Sequence, residues 1–106
     1  MGILVFCSYM PKPGGEAKLI ELLKEHQPTL RAEGLITDRP ATFLKSAEGA
    51  YLEIFEWESE EASRGAHANP KVGPIWDAMA EVAAFVPLAS LEQAQTPFAH
   101  FEPIAL

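Results

Sequence analysis

The segment "GAHANPK" (residues 65–71) holds the residue types and spacing in this chain that most invite chemistry. His67 ends a short acidic stretch, "SEEASRGA", which Ser59 can cap and whose first turn carries Glu60 and Glu61, so it reads as a helix. An imidazole at the negative end of a helix dipole is favoured in its protonated form, and it exchanges protons near neutral pH. His67 is therefore a candidate general base or acid, and its structural alternative is a cap on the helix's last carbonyls. Asn69 could donate an amide hydrogen bond to a substrate oxygen. As an N-cap before Pro70, opening a further helix, it also has a complete structural account.

Other candidates are spread along the chain. His26 lies on an apolar helical stripe with Leu19, Leu23 and Leu30, as a core or interface histidine or as a second imidazole facing the same cavity as His67. Glu53 shares a strand face with Tyr51, Phe55 and Trp57, where a carboxylate is costly unless paired. Arg39 on the neighbouring strand is its expected partner, and a base role with a raised pKa is the sharper alternative. Trp57 and Trp76 are core residues or indole donors at a pocket wall, and Tyr9 and Tyr51 could line the same pocket. His100 is expected near an edge strand, at a contact between copies. His26, His67, His100 and Glu53 have no metal-ligand spacing, so no metal is expected. "PKPGGEAK" lacks the glycine spacing of a phosphate or dinucleotide site, no Ser–His–Asp arrangement is present, and no cofactor is expected.

The elements that must position these residues follow from periodicity. "ILVFCSYM" (3–10) reads as a strand apolar on both faces, and Cys7 on it as a buried small residue. A helix runs from Glu16 to about Glu33, kinked by Pro28 near Lys24 and closed by Gly34. Residues 35–47 read as a second strand interrupted at Pro40, and 50–58 as a third strand forming a hairpin with it. The acidic helix ends near Ala68. The next helix carries its apolar stripe on Val72, Ile75, Trp76, Met79, Ala83 and Val86. "VPLASLEQAQTP" is irregular, with a turn capped by Ser90 and Gln93, and a last strand covers 98–102. The order is β-α-β-β-α-β, an α+β ferredoxin-like plan in one domain, residues 1–106. Proline is tolerated mainly at sheet edges, which makes the first and third strands central and the second and fourth edges. One helical layer covers only one sheet face, so a second copy packing sheet against sheet is expected: a homodimer.

Composition sets the limits. The 106 residues carry 15 acidic and 8 basic side chains, a net charge of −7 that disfavours nucleic acid and anionic membrane as partners. One cysteine allows no internal disulfide and points to a reducing, cytoplasmic setting. The apolar start lacks the basic region of a signal peptide, and nothing is long enough to span a bilayer.

The element order, the length, "FEWESEEA" leading from the third strand into a helix, and His67 ten residues beyond Trp57 resemble the antibiotic biosynthesis monooxygenase (ABM)-type domains of the dimeric α+β barrel superfamily. The resemblance runs from Ile3 to about Pro103. It implies a dimer barrel on one sheet face and, between sheet and helices, a cavity for a small apolar or aromatic ligand. It further implies cofactor-independent oxygenation, with His67 as base and Trp57 and Asn69 as hydrogen-bond donors. Trp76, Tyr51, Glu53, His26 and Tyr9 would line the substrate site. The haem-degrading branch resembles a set with Asn on the first strand, then Trp, then His. Here the first strand offers Cys7 and Ser8, and His67 and Trp76 stand in the reverse order, which argues against haem degradation. The rival class is a non-catalytic dimer, a ligand carrier or an interaction module with a filled core.

Overall fold

The computed structural model describes residues 2–106. Strand β1 (Ile3–Pro11) leads into helix α1 (Glu16–Ala32), and the hairpin strands β2 (Thr42–Lys45) and β3 (Tyr51–Trp57) follow. Helices α2 (Glu60–Ala66) and α3 (Gly73–Val82), strand β4 (Ala83–Phe85), two 3-10 turns (Leu88–Ser90 and Gln93–Gln95) and strand β5 (Glu102–Ile104) complete the chain. The strands form one antiparallel sheet in the order β4-β1-β3-β2-β5. The first four in that order are the ferredoxin-like sheet, and β5 extends it on the far edge.

The central strands are where proline spacing put them. Beside β1, however, the edge strand is a three-residue segment that the helical stripe had hidden: α3 stops at Val82, and Ala83–Phe85 turn extended to pair with Tyr9–Pro11. Apolar spacing continues through Ala83 to Val86, and periodicity alone cannot distinguish a last helical turn from a buried edge strand. The expected last strand at 98–102 begins instead at Glu102 and contains Pro103, which an edge position tolerates. His100 lies outside it, exposed, with its backbone N–H donating to Gln93 Oε1. The expected second strand shortens to Thr42–Lys45, so Pro40 falls outside it, while Ile36 makes an isolated bridge to Trp57.

Local rules account for the helix ends. Ser59 caps α2, its Oγ accepting from the Ala62 N–H at 3.1 Å. At the end of α1, Gly34 takes a left-handed φ of 71°, its N–H donates to Arg31, and Leu35 N–H donates to Leu30, a Schellman closure. Asn69 does not begin the third helix as expected. Its Oδ1 accepts from the N–H groups of Lys71 and Val72, capping a turn, and the helix starts at Gly73 with Pro74 in its first turn. Ser90 caps no helix either, since its hydroxyl donates to the Pro87 carbonyl.

Helices α1 and α3 cover one face of the sheet, burying Leu19, Leu23, Leu30, Tyr51, Phe55, Val72 and Met79. Part of the other face is covered by the chain itself. Leu91 and the residues around it pack on Ala50 and Leu52, where a second copy was expected to do all the covering. The remainder of that face is open, with Leu4 and Phe6 on β1 half exposed.

Candidate functional site

Strand alternation places Tyr51, Glu53, Phe55 and Trp57 on the helix-covered face, and all four are buried. Glu53 is fully buried at the middle of β3, opposite Cys7 of β1. Its expected partner Arg39 is elsewhere: the guanidinium Nε stands 3.5 Å from Glu56 at the surface. Glu53 is instead surrounded by donors from the two elements packed on it. Tyr9 OH donates to Oε1 at 2.7 Å and Gln27 Nε2 donates to Oε2 at 2.6 Å. His26 Nδ1 stands 2.9 and 2.8 Å from the two oxygens. Three donors on two oxygens offset much of the desolvation that burying a carboxylate costs.

The far side of the imidazole settles its tautomer. An indole N–H only donates, and Trp76 Nε1 lies 2.9 Å from His26 Nε2, so Nε2 accepts and Nδ1 carries the proton given to Glu53. A chain of four side chains results, Trp76 to His26 to Glu53 with Tyr9 joining at the carboxylate. It is built from α3, α1, β3 and β1. Burial and the Glu53 charge push the Tyr9 phenol well above its ordinary value. Burial first, and then the same charge, push the Cys7 thiol up to about 12, with the nearby Tyr9 hydroxyl opposing them.

This chain borders a cavity of about 300 Å3 between the sheet and α3, whose lining includes Cys7, Tyr9, His26, Phe55, Trp57, His67, Trp76 and Met79, and which extends to Phe6 and Ser8 of β1 and to Phe85 and Val86 at the end of β4. His67 reaches it from the C-terminal end of α2, its ring 5.0 Å from that of Trp76 in an edge-to-face contact. It is the backbone N–H of His67, and not the ring, that bonds at the helix end, to the Arg64 carbonyl. Among the described residues the imidazole has no hydrogen-bond partner. Trp57 packs edge-to-face on Phe55 at 5.0 Å and forms a wall.

The structure thus brings His26, Tyr9, Trp57, His67 and Trp76 together around one cavity, while Glu53, expected to line it, is fully buried behind His26 and Tyr9 and is not on its wall. The structure leaves out two further candidates. Asn69 donates to Glu33 at 3.1 Å and otherwise serves its turn, and it does not line the cavity. Tyr51 donates to Glu16 at 2.7 Å at the far end of β3. Gln27 was passed over although Leu23, Gln27 and Leu30 follow helical spacing, which was the available signal for its burial. Ser8 was passed over too; its buried hydroxyl oxygen, like Gln27 Oε1, has no partner among the described residues. No group of three or more His, Cys, Asp or Glu among the described residues is arranged to hold a metal ion.

No protein-family model matches the chain. No curated protein matches it either. Among solved structures the chain is similar to Rv0793 from Mycobacterium tuberculosis, with 21% identity and a TM-score of 0.65 over 81% of this chain and 91% of that one. At that identity the likeness is one of fold: a small α+β domain, an antiparallel sheet with its helices on one side.

Proposed function

We propose that this chain works as an ABM-like homodimer that binds a small aromatic molecule between sheet and helices and oxygenates it without a cofactor. The observation that supports this reading best is the apolar cavity of about 300 Å3 with two imidazoles and an indole N–H converging on it. Such a volume suits a ligand of two or three fused rings, and few, placed polar groups in an apolar wall are the mark of a binding site.

The chemistry needs only a base and O2. An imidazole, His26 or His67, takes a proton from an activated CH2 or its enol, leaving a delocalised carbanion. The anion passes one electron to O2, and the two radicals combine to form a C–O bond. The peroxide regains the proton and water leaves, so CH2 and O2 become C=O and H2O. The apolar walls favour this by excluding water from the anion.

Oxygen uptake with anthrone-like ketones tests the reading. One O2 is expected per substrate with no added cofactor, and uptake should fall at least about 100-fold in the variant lacking the accepting imidazole, His26→Gln or His67→Ala. Tight binding without uptake favours the carrier instead, and that reading has its own support in the polar groups being bonded to one another at rest. The dimer is supported by Leu4 and Phe6, 50% and 51% exposed side by side on the uncovered sheet face. Leu4→Asp, at a residue that does not line the cavity, should convert a dimer to a monomer in sedimentation equilibrium, and a wild-type monomer at micromolar concentration would refute it.

A further inference from the structure

Trp76 and His26 hold a donor and an acceptor face to face at the cavity wall, and a hydroxyl, which accepts and donates at a single atom, can satisfy both at once. We propose that the Trp76 indole is a latch on His26 Nε2 that an aromatic or enolic hydroxyl opens, and that this exchange selects hydroxyl-bearing ligands and makes His26, backed by Glu53, the proton acceptor. The inference rests on the ligand class proposed above.

The geometry supports it on both sides of the bond. The imidazole is fixed: His26 is 1% exposed, and Nδ1 is tied to both oxygens of Glu53. Its only outward lone pair is on Nε2, and the indole N–H covers it at 2.9 Å. The indole is the part that can yield. Trp76 is half-buried on a helix whose only fully buried residue is Met79, and its neighbour His67 is held by no side-chain hydrogen bond among the described residues. A hydroxyl placed between the rings accepts from Nε1 and donates to Nε2, so one hydrogen bond becomes two. The nitrogens must separate to roughly 5 Å, the span of two hydrogen bonds bent at one oxygen.

Proton transfer then runs along a pre-set line. The ligand O–H bond breaks as Nε2–H forms, Nδ1–H stays on Glu53, and the new imidazolium faces a carboxylate. The ligand anion keeps the Trp76 N–H on its oxygen. For an enol this anion is the same delocalised species that loss of the C–H proton would give, so the latch leads into the oxygenation step. An ether or a ketone can accept from Trp76 but leaves Nε2 unpaired, and a hydrocarbon satisfies neither.

The chain has two tryptophans, so its indole N–H region in a 15N-edited NMR spectrum should hold two peaks, assigned by Trp57→Phe and Trp76→Phe. The probes are 1-naphthol, 1-methoxynaphthalene and naphthalene. Naphthol should bind about tenfold tighter than the other two, in line with one added hydrogen bond in a dry site. It alone should move the Trp76 peak, and it should shift proton density to Nε2 in the 15N spectrum of His26. Trp76→Phe should remove most of the tenfold preference. If naphthol binds and the Trp76 peak stays, or the preference survives Trp76→Phe, the latch is wrong and the cavity reading stands. If none of the three binds, the aromatic-ligand reading falls and takes the latch with it. Should the phenylalanine variant fail to fold, the wild-type peak shifts and the three affinities decide by themselves.

Discussion

Glu53 and Glu56 stand three residues apart on one strand and, by alternation, on opposite faces of it. Glu53 is sealed under α1 and satisfied by three uncharged groups, Tyr9, His26 and Gln27. Glu56 is on the open side, where Thr37 donates to it at 2.8 Å and Arg39 approaches to 3.5 Å. The Thr37 hydroxyl foremost, and then the Arg39 charge, hold its carboxyl below the ordinary carboxylate value. The cation therefore serves the carboxylate that water could have served, while the one out of water relies on neutral donors. A buried arginine would have brought its own desolvation cost to Glu53. Short, uncharged donors already fixed on two packed elements add none, and they leave the imidazole's second nitrogen to accept from Trp76 at the cavity wall.

Removing Glu53 should give the largest effect in the molecule. Glu53→Ala leaves a void and strands three buried donors, and such breaks cost about 3–5 kcal/mol. Chemical denaturation should show that loss, and the equivalent Glu56→Ala should lower the melting temperature by no more than about 3 °C. Equal losses at the two positions would mean that the buried network adds nothing beyond a surface pair.

Cys7 sharpens the contrast from the neighbouring strand. Its thiol, held at about 12 against an ordinary 9.0, stays protonated through the physiological range, so the reactive thiolate is scarce. At pH 8 iodoacetamide should alkylate the folded chain roughly a thousandfold more slowly than the unfolded one, the factor that the gap between those two values implies. The sign also fixes the pH dependence. A folded value above the unfolded one gives stability that is fully present below about pH 9 and is lost as pH rises toward the folded value, and Tyr9 adds in the same direction. Glu53→Gln should speed alkylation only modestly, because burial is the larger cause and the charge the smaller.

The central strands and the first helix's glycine closure were legible because each rests on a local rule: proline avoidance, and a left-handed residue after a helix. Which sheet face the helices cover was not, because the first strand is apolar on both faces. Nor was the partner of Glu53. Opposite charges on neighbouring strands suggested Arg39, but the extended chain before Pro40 is held by a single bridge, and Arg39 emerges on the Glu56 side. Recognising His26, Gln27 and Tyr9 required knowing how α1 lies across β3, a contact between residues 26, 27 and 44 positions apart. Asn69 was legible as a capping residue, and it caps a turn one step before the helix it was assigned to. His67 was legible as a helix-end residue. That its ring, on an exposed residue, packs edge-to-face on Trp76 depends on where α3 lies.

The smallest effects lie on the Glu56 side, where they rank its two partners. A carboxyl held low contributes stability that is present above its ordinary value of 4.5 and is lost as pH falls through the lowered one. Thr37→Val removes a short hydrogen bond from a half-buried residue, whereas Arg39→Ala removes a long contact from a side chain that is 57% exposed. Thr37→Val should therefore lower the melting temperature at pH 7 more than Arg39→Ala, and both differences from wild type should shrink below pH 4. Raising the salt concentration should erase the Arg39 difference first, since an exposed ion pair is screened and a hydroxyl donor is not. If Arg39→Ala proved the more damaging of the two, charge pairing rather than hydrogen bonding would govern Glu56, and its contrast with Glu53 would be one of solvent exposure alone.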